Sequence, residues 1–234
     1  MCARPIIRCA SSPEHRLSTG AWHPHPDENG KPVLIRQPSL PTPSAAWADP
    51  ARIATVIPGG DMPAMLNGIA VSAQPLTLPA DAEAIAEPPF ALPPGMRAAA
   101  GAVVIENDGR VWLVSPSNGF GGYSATFPKG RLDAGGTLQG TLQDTAVREV
   151  FEESGLVVRL EAFLLDVSRT QTHSRYYIAR RVGGNPAQMG WESQAVHLVP
   201  AARLQELAVH PNDAAIIRAV SALISQDISR DASR

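Results

Sequence analysis

The chain has 234 residues, of which 44% are hydrophobic, 18% charged and 5% aromatic, and Lys+Arg 20 against Asp+Glu 22 leaves a formal net charge of -2. Those values fit a globular protein of one or two domains and exclude a nucleic-acid binder that works through bulk positive charge, because no cation excess exists to displace counterions from phosphates. No window approaches the roughly 18 uninterrupted apolar residues of a membrane span. Arg4 and Arg8 interrupt the apolar stretch that a secretory signal would need in Met1 to Ser12, so the expected location is the cytoplasm.

Seventeen of the 22 prolines fall before residue 95. Proline fixes φ, removes an amide donor and restricts the preceding residue, so long helices and central strands are not expected across Pro24 to Pro63. Residues 1–96 therefore read as a proline-rich extension, extended or disordered up to about residue 58. One short edge strand is expected at Gly68 to Ala73, lying as an ornament on the main domain. Cys2 and Cys9 both sit in the first segment, where they cannot staple the fold and make no metal or redox motif.

From Arg97 the pattern becomes regular. Strands are predicted at Ala98 to Glu106 and Arg110 to Ser115, joined by Asn107-Asp108-Gly109, a hairpin-type turn. A glycine-rich loop, Asn118 to Tyr123, leads to a third short strand ending at Pro128. A central helix follows, then strands at Leu156 to Val167, Ser174 to Val182 and Ser193 to Val199, and helices at Ala201 to Val209 and Asn212 to Ser225. Ile216, Ile217, Val220, Leu223 and Ile224 make one apolar stripe on the last helix. The sum is a mixed α/β (α+β) layer fold over residues 97–225, with a tail at 226–234.

The chemistry concentrates in Phe127-Pro-Lys-Gly-Arg-Leu-Asp-Ala-Gly-Gly136 and Arg148-Glu-Val-Phe-Glu-Glu-Ser-Gly-Leu156. On a helix Glu149, Glu152 and Glu153 stand at i, i+3 and i+4 and share one face. Carboxylates so crowded raise one another's pKa unless a cation sits among them, and clustered hard oxygen donors suit Mg²⁺ or Mn²⁺. Read alone, the pattern also fits a solvated acidic helix end. Val147, Val150 and Phe151 occupy the other face and can bury against a sheet. Arg148 can orient a neighbouring carboxylate, and Ser154-Gly155 is a helix stop. Lys129, one of two lysines beside 18 arginines, stands where the Pro128-Lys-Gly130 backbone can approach an anion.

These residues resemble the Nudix hydrolase signature, Gly-x5-Glu-x7-Arg-Glu-U-x-Glu-Glu-x-Gly-U with U aliphatic, and Arg148 to Leu156 matches its second half at every specified position. Two departures stand in the first half. The isolated Glu is replaced by Gly136, and the spacer to Arg148 has 11 residues, because Thr137-Leu-Gln-Gly140 and Thr141-Leu-Gln-Asp144 form a four-residue tandem repeat. Four residues add roughly 400° of helix, which nearly preserves the phase of the glutamates. Gly140 disfavours helix and Thr141 with Asp144 makes a capping box, so the helix is expected to begin at Thr141.

The resemblance implies a Nudix-like mixed sheet between helices and a magnesium-dependent phosphoanhydride hydrolase acting on a nucleoside-diphosphate-linked small molecule. It gives no reason to expect a membrane or nucleic-acid partner. Trp191-Glu-Ser-Gln-Ala-Val-His-Leu198 resembles a stretch of the dinucleoside polyphosphate hydrolases, and Phe-Pro-Lys-Gly resembles both that branch and the diphosphoinositol polyphosphate branch. It implies Glu149, Glu152, Glu153, Glu192 and the Lys129 carbonyl as metal ligands, with Arg148 holding the glutamates. Lys129 and Arg131 would meet phosphates, and Glu149 or Glu192 would serve as base. Tyr176 and Tyr177 alternate across a strand, and Tyr177 is a candidate to stack on a nucleobase. The missing glutamate also leaves open a catalytically weak nucleotide sensor.

Overall fold

The computed structural model describes residues 20–73, 75, 85–132 and 141–231. Cys2, Cys9, Gly136 and the first half of the tandem repeat lie outside the described residues.

The extension is built into the fold. β1 (Ala21–Trp22) pairs antiparallel with β2 (Leu34–Ile35), a single turn α1 (Ala45–Ala48) follows, and β3 (Ala54–Val56) leads to a small hairpin of β4 (Met65–Leu66) and β5 (Ile69–Ala70). The single edge strand expected at Gly68 to Ala73 is instead this hairpin. Asn67 and Gly68, both at positive φ, turn the chain between its two short strands.

The expectation of an extended or disordered stretch up to residue 58 is likewise corrected for residues 20–58. β3 pairs antiparallel with a core strand, and Trp47 is buried 6.0 Å from Trp112, ring centre to ring centre. The buried Arg110 guanidinium donates to the carbonyls of Ala46, Trp47 and Asp49, which have no partner within a helix this short. Proline interrupts this region often enough to prevent long elements, and the proline-free runs between are just long enough to make short ones.

The core follows in chain order as β6 (Arg97–Val104), β7 (Arg110–Pro116), β8 (Lys129–Arg131), α2 (Leu142–Ser154), β9 (Leu156–Ser168), β10 (Thr172–Gly184), β11 (Ser193–Pro200), α3 (Leu204–Leu207) and α4 (Ala214–Asp231). One sheet has the order β8-β6-β10-β9 and the other β3-β11-β7. The turn after β6 forms, with the Glu106 amide donating to Arg110 at 2.8 Å and Gly109 at φ 82°. The expected hairpin does not extend beyond it. After the Ile105–Val111 bridge the two strands diverge into different sheets. The third strand begins after Pro128 rather than ending there. The predicted helix at Ala201 to Val209 shortens to a 3-10 turn and α3.

Two apolar layers flank the four-stranded sheet. One gathers Trp47, Trp112, Ala146, Val150, Leu156 and Tyr177, and the other Phe127, Tyr176, Ile178, Leu204, Ile216 and Val220. α2 closes the first layer and α4 the second, so the sheet lies between helices as expected. No helix among the described residues is long and apolar enough to cross a membrane.

Candidate metal and diphosphate site

α2 begins where its sequence allows. Thr141 is the N-cap, its side chain accepts from the Asp144 amide, and the Asp144 carboxylate accepts from the Thr141 amide at 2.9 Å, closing the expected capping box. At the other end Gly155 takes φ 68° and its amide donates to the Phe151 carbonyl. A further carbonyl of the last turn, Glu152, accepts from Gly190 at 2.8 Å. That bond ties the end of the helix to the loop that enters β11 and carries Glu192. A Cβ at residue 190 would sit 2.4 Å from the Glu152 oxygen, so glycine is what permits this approach.

Three carboxylates converge from these two elements. Oxygens of Glu149, Glu153 and Glu192 all lie within 4.8 Å of one another. Glu149 is buried, and its carboxyl group lies against the backbone of β8: a Cβ on Gly130 would come within 2.0 Å of it. Glu153 accepts the Lys129 amide at 2.9 Å. Glu192 is held from behind, because its carbonyl accepts the Ser117 amide at 2.7 Å.

Glu152 differs from these three. It is half exposed and bridges to Arg148 at 2.8 Å, while the same guanidinium meets Glu149 at 2.9 Å and the Arg131 carbonyl at 3.2 Å. Arg148 thus fastens the helix to β8, as a positioning group. The face-sharing trio expected from helical spacing is in this way redistributed: Glu149 and Glu153 stay together, and Glu192 from across the cleft takes the third place.

The electrostatics of the cluster are unfavourable without a cation. Desolvation pushes Glu149 up to about 8, opposed by Arg148 and reinforced by Glu153, Glu152 and Glu192. Glu153 rises to about 7, again chiefly through desolvation, against the pull of Lys129. Glu192 is raised by desolvation and then by Glu152. Acids that crowd one another and lose water at the same time are the donor set a hard divalent ion relieves, and an all-carboxylate oxygen set fits Mg²⁺ or Mn²⁺.

Beside the trio lies a cationic wall in which Lys129, expected from the sequence, is joined by Arg169, which the motif does not contain. Lys129 Nζ stands 5.4 Å over the Tyr123 ring, and Arg169 donates to the hydroxyls of Tyr123 and Tyr176 and to Asp213 at 3.1 Å. His210 stacks on Tyr123 at 4.1 Å. Arg169 stands in a hairpin turn and Asp213 before α4, so only tertiary contact unites them. Arg131 is exposed at the end of β8.

Tyr177 is a correction. It and Tyr176 face opposite layers, as alternation requires, yet both are fully buried, and the Tyr177 hydroxyl donates to Glu87 at 2.6 Å. Tyr177 is a core residue and cannot stack on a base.

The mixed sheet lies between helices, and two acids of α2 meet a third from the loop before β11 beside Lys129, an oxygen set of the kind that suits a hard divalent ion. The NUDIX domain family model matches residues 95–220, more than half of the chain, so the chain belongs to the NUDIX family and is a hydrolase of that class. No curated protein matches the sequence. Among solved structures, an Ap4A hydrolase from C. elegans is 19% identical, with a TM-score of 0.45 over 56% of this chain and 99% of that one. An ADP-ribose pyrophosphatase from Streptococcus suis is 18% identical, with a TM-score of 0.44 over 56% and 91%. A NUDIX hydrolase from Nitrosomonas europaea is 18% identical, with a TM-score of 0.45 over 54% and 89%.

Proposed function

We propose that this protein is a cytoplasmic, magnesium- or manganese-dependent hydrolase that cuts a phosphoanhydride bond in a nucleoside-diphosphate-linked substrate, of which a dinucleoside polyphosphate is the leading candidate. The supporting observation is the meeting of Glu149, Glu153 and Glu192 within 4.8 Å beside Lys129. In this reading residues 97–225 carry the catalytic domain, 1–96 are an extension whose described residues support it, and 226–234 are a C-terminal tail into which α4 continues as far as Asp231.

Glu149, Glu153 and Glu192 would hold the metal, with Glu152 at the rim and the Lys129 carbonyl as a further oxygen. A divalent ion bound there supplies neutralisation of the diphosphate and an acidified water. The chain's own groups do the rest. Gly130 leaves room for the Glu149 carboxyl group, the Lys129 amide fixes Glu153, and Arg148 locks α2 to β8. Lys129 Nζ and Arg131 meet phosphate oxygens, and Glu149 or Glu192 takes the proton of the attacking water.

The test is a panel of diadenosine polyphosphates, ADP-ribose and nucleoside triphosphates offered to the protein with and without Mg²⁺. Phosphate or nucleotide release that requires the ion is expected from at least one of them. Tight nucleotide binding with no release from any would overturn turnover and leave a nucleotide sensor.

A further inference from the structure

The glycine-rich loop and the extension line an open cavity of about 490 Å³, with Arg36, Gln37, Asn118, Gly119, Tyr123 and Gln194 among its walls. That volume falls within the roughly 300–1,000 Å³ of small-molecule sites. Its lining is linked to the elements that carry the carboxylates. Tyr123 carries Lys129 over its ring, Gln194 follows Glu192 by two residues, and Ser117, next to the lining residue Asn118, donates to the Glu192 carbonyl.

The cavity is fixed by polar contacts across the two segments. Asn118 accepts the Arg36 amide at 2.8 Å and donates to the Leu34 carbonyl at 2.9 Å. Gln194 accepts the Asn118 amide at 2.8 Å and donates to the Gln37 carbonyl and to Ser39 Oγ at 3.0 and 3.1 Å. Those amide side chains are thereby committed to holding the walls. The groups left for a ligand are different in kind. The Arg36 guanidinium is exposed and makes no ion pair among the described residues. Phe120, between the lining residues Gly119 and Gly122, is 82% exposed. The loop holds it out because Asn118, Gly119, Gly121 and Gly122 all adopt positive φ. A cation on the lining and an open aromatic ring on the adjoining loop match a phosphate joined to a ring.

We infer that this cavity is a second subsite, which takes the distal phosphorylated nucleoside of a two-ended substrate, with Arg36 meeting its phosphate and Phe120 stacking on its base. The inference rests on the hydrolase reading above and deepens it by naming the part of the substrate that the extension recognises. Arg36 lies outside the matched family region at 95–220.

The experiment compares diadenosine tetraphosphate with ATP, a one-ended control, on the full chain and on Arg36→Ala, Arg36→Lys and Phe120→Ala. Removing one charge-assisted contact or one stacking face is expected to raise KM for the two-ended substrate about tenfold. kcat should stay unchanged, KM for ATP should move little, and Arg36→Lys should recover most of the loss. Calorimetric titration of a non-hydrolysable diadenosine tetraphosphate analogue into the unmodified chain and Arg36→Ala reports binding independently of turnover. If the unmodified chain hydrolyses neither compound but Arg36→Ala still weakens that binding, the hydrolase reading fails and the subsite stands. Active enzyme whose two substrates respond equally, or not at all, to Arg36→Ala and Phe120→Ala would overturn the subsite, as would an absence of measurable dinucleotide binding.

Discussion

His197 and Glu149 are both buried ionisable side chains in the same domain, and the protein treats them in opposite ways. His197, on β11, touches Thr55 of β3 at 2.9 Å and Ser115 of β7 at 2.8 Å, one contact for each ring nitrogen. Ser115 gives its only proton to the Ser124 carbonyl, so Nε2 of His197 must donate and Nδ1 must accept from Thr55. The neutral ring is fully satisfied, and burial lowers its pKa to about 4. Glu149 instead faces two other acids and a glycine backbone, and its pKa rises to about 8. The histidine network is complete in itself, whereas the three carboxylates bring their oxygens within 4.8 Å of one another. That asymmetry separates a polar core that closes on itself from the candidate site.

The sharpest way to break the comparison is to neutralise the cluster. Glu153→Gln is expected to lower kcat by about 10²- to 10⁴-fold with the fold intact by circular dichroism, while Thr55→Val leaves kcat unchanged. Similar losses from both would erase the distinction. Gly130→Ala comes next: the added Cβ must displace the Glu149 carboxyl group, and a misplacement near 1 Å costs up to about 100-fold in turnover. Steady-state kinetics beside a thermal melt separates that outcome from unfolding.

The two regions should also answer pH with opposite signs. Glu149 has a folded pKa raised from 4.5 to about 8, so its contribution to stability is present below 4.5 and is lost as pH rises through 8. Glu149→Gln should therefore stabilise the metal-free protein at pH 8, by roughly 1–3 kcal/mol, while abolishing activity. His197 is depressed from 6.5 to about 4, so its contribution is present above 6.5 and lost as pH falls through 4. The smallest effect is that of Thr55→Val, which removes a neutral hydrogen bond and should cost about 1 kcal/mol at neutral pH. Urea titrations in chelator across pH 4 to 9 check both signs.

The sequence makes α2 and its acids legible because they are local: a capping box, a glycine stop and helical spacing lie within one segment. It also points to Glu192, through a motif across the chain. What it hides is tertiary. Averaged proline density conceals the proline-free run from Ala51 to Ile57, within which β3 forms, and Ala45 to Ala48, which puts Trp47 into the core. Alternation assigns Tyr176 and Tyr177 to opposite faces correctly but cannot tell that α4 covers one face while α2 and the extension cover the other. Arg169 and Asp213 lie 44 residues apart with no shared pattern. Glu152 and Glu192 exchange places for a similar reason, since helical spacing reports which acids share a face and not which of them Arg148 draws aside.

The most direct measurement is Mn²⁺ binding followed by electron paramagnetic resonance on the unmodified chain and on Glu149→Gln, Glu153→Gln, Glu192→Gln and Glu152→Gln. Weakened binding is expected in the first three variants, by at least about tenfold, with Glu152→Gln close to the unmodified protein. Loss of binding in Glu152→Gln together with full binding in Glu192→Gln would contradict the placement of the metal between α2 and the entrance to β11.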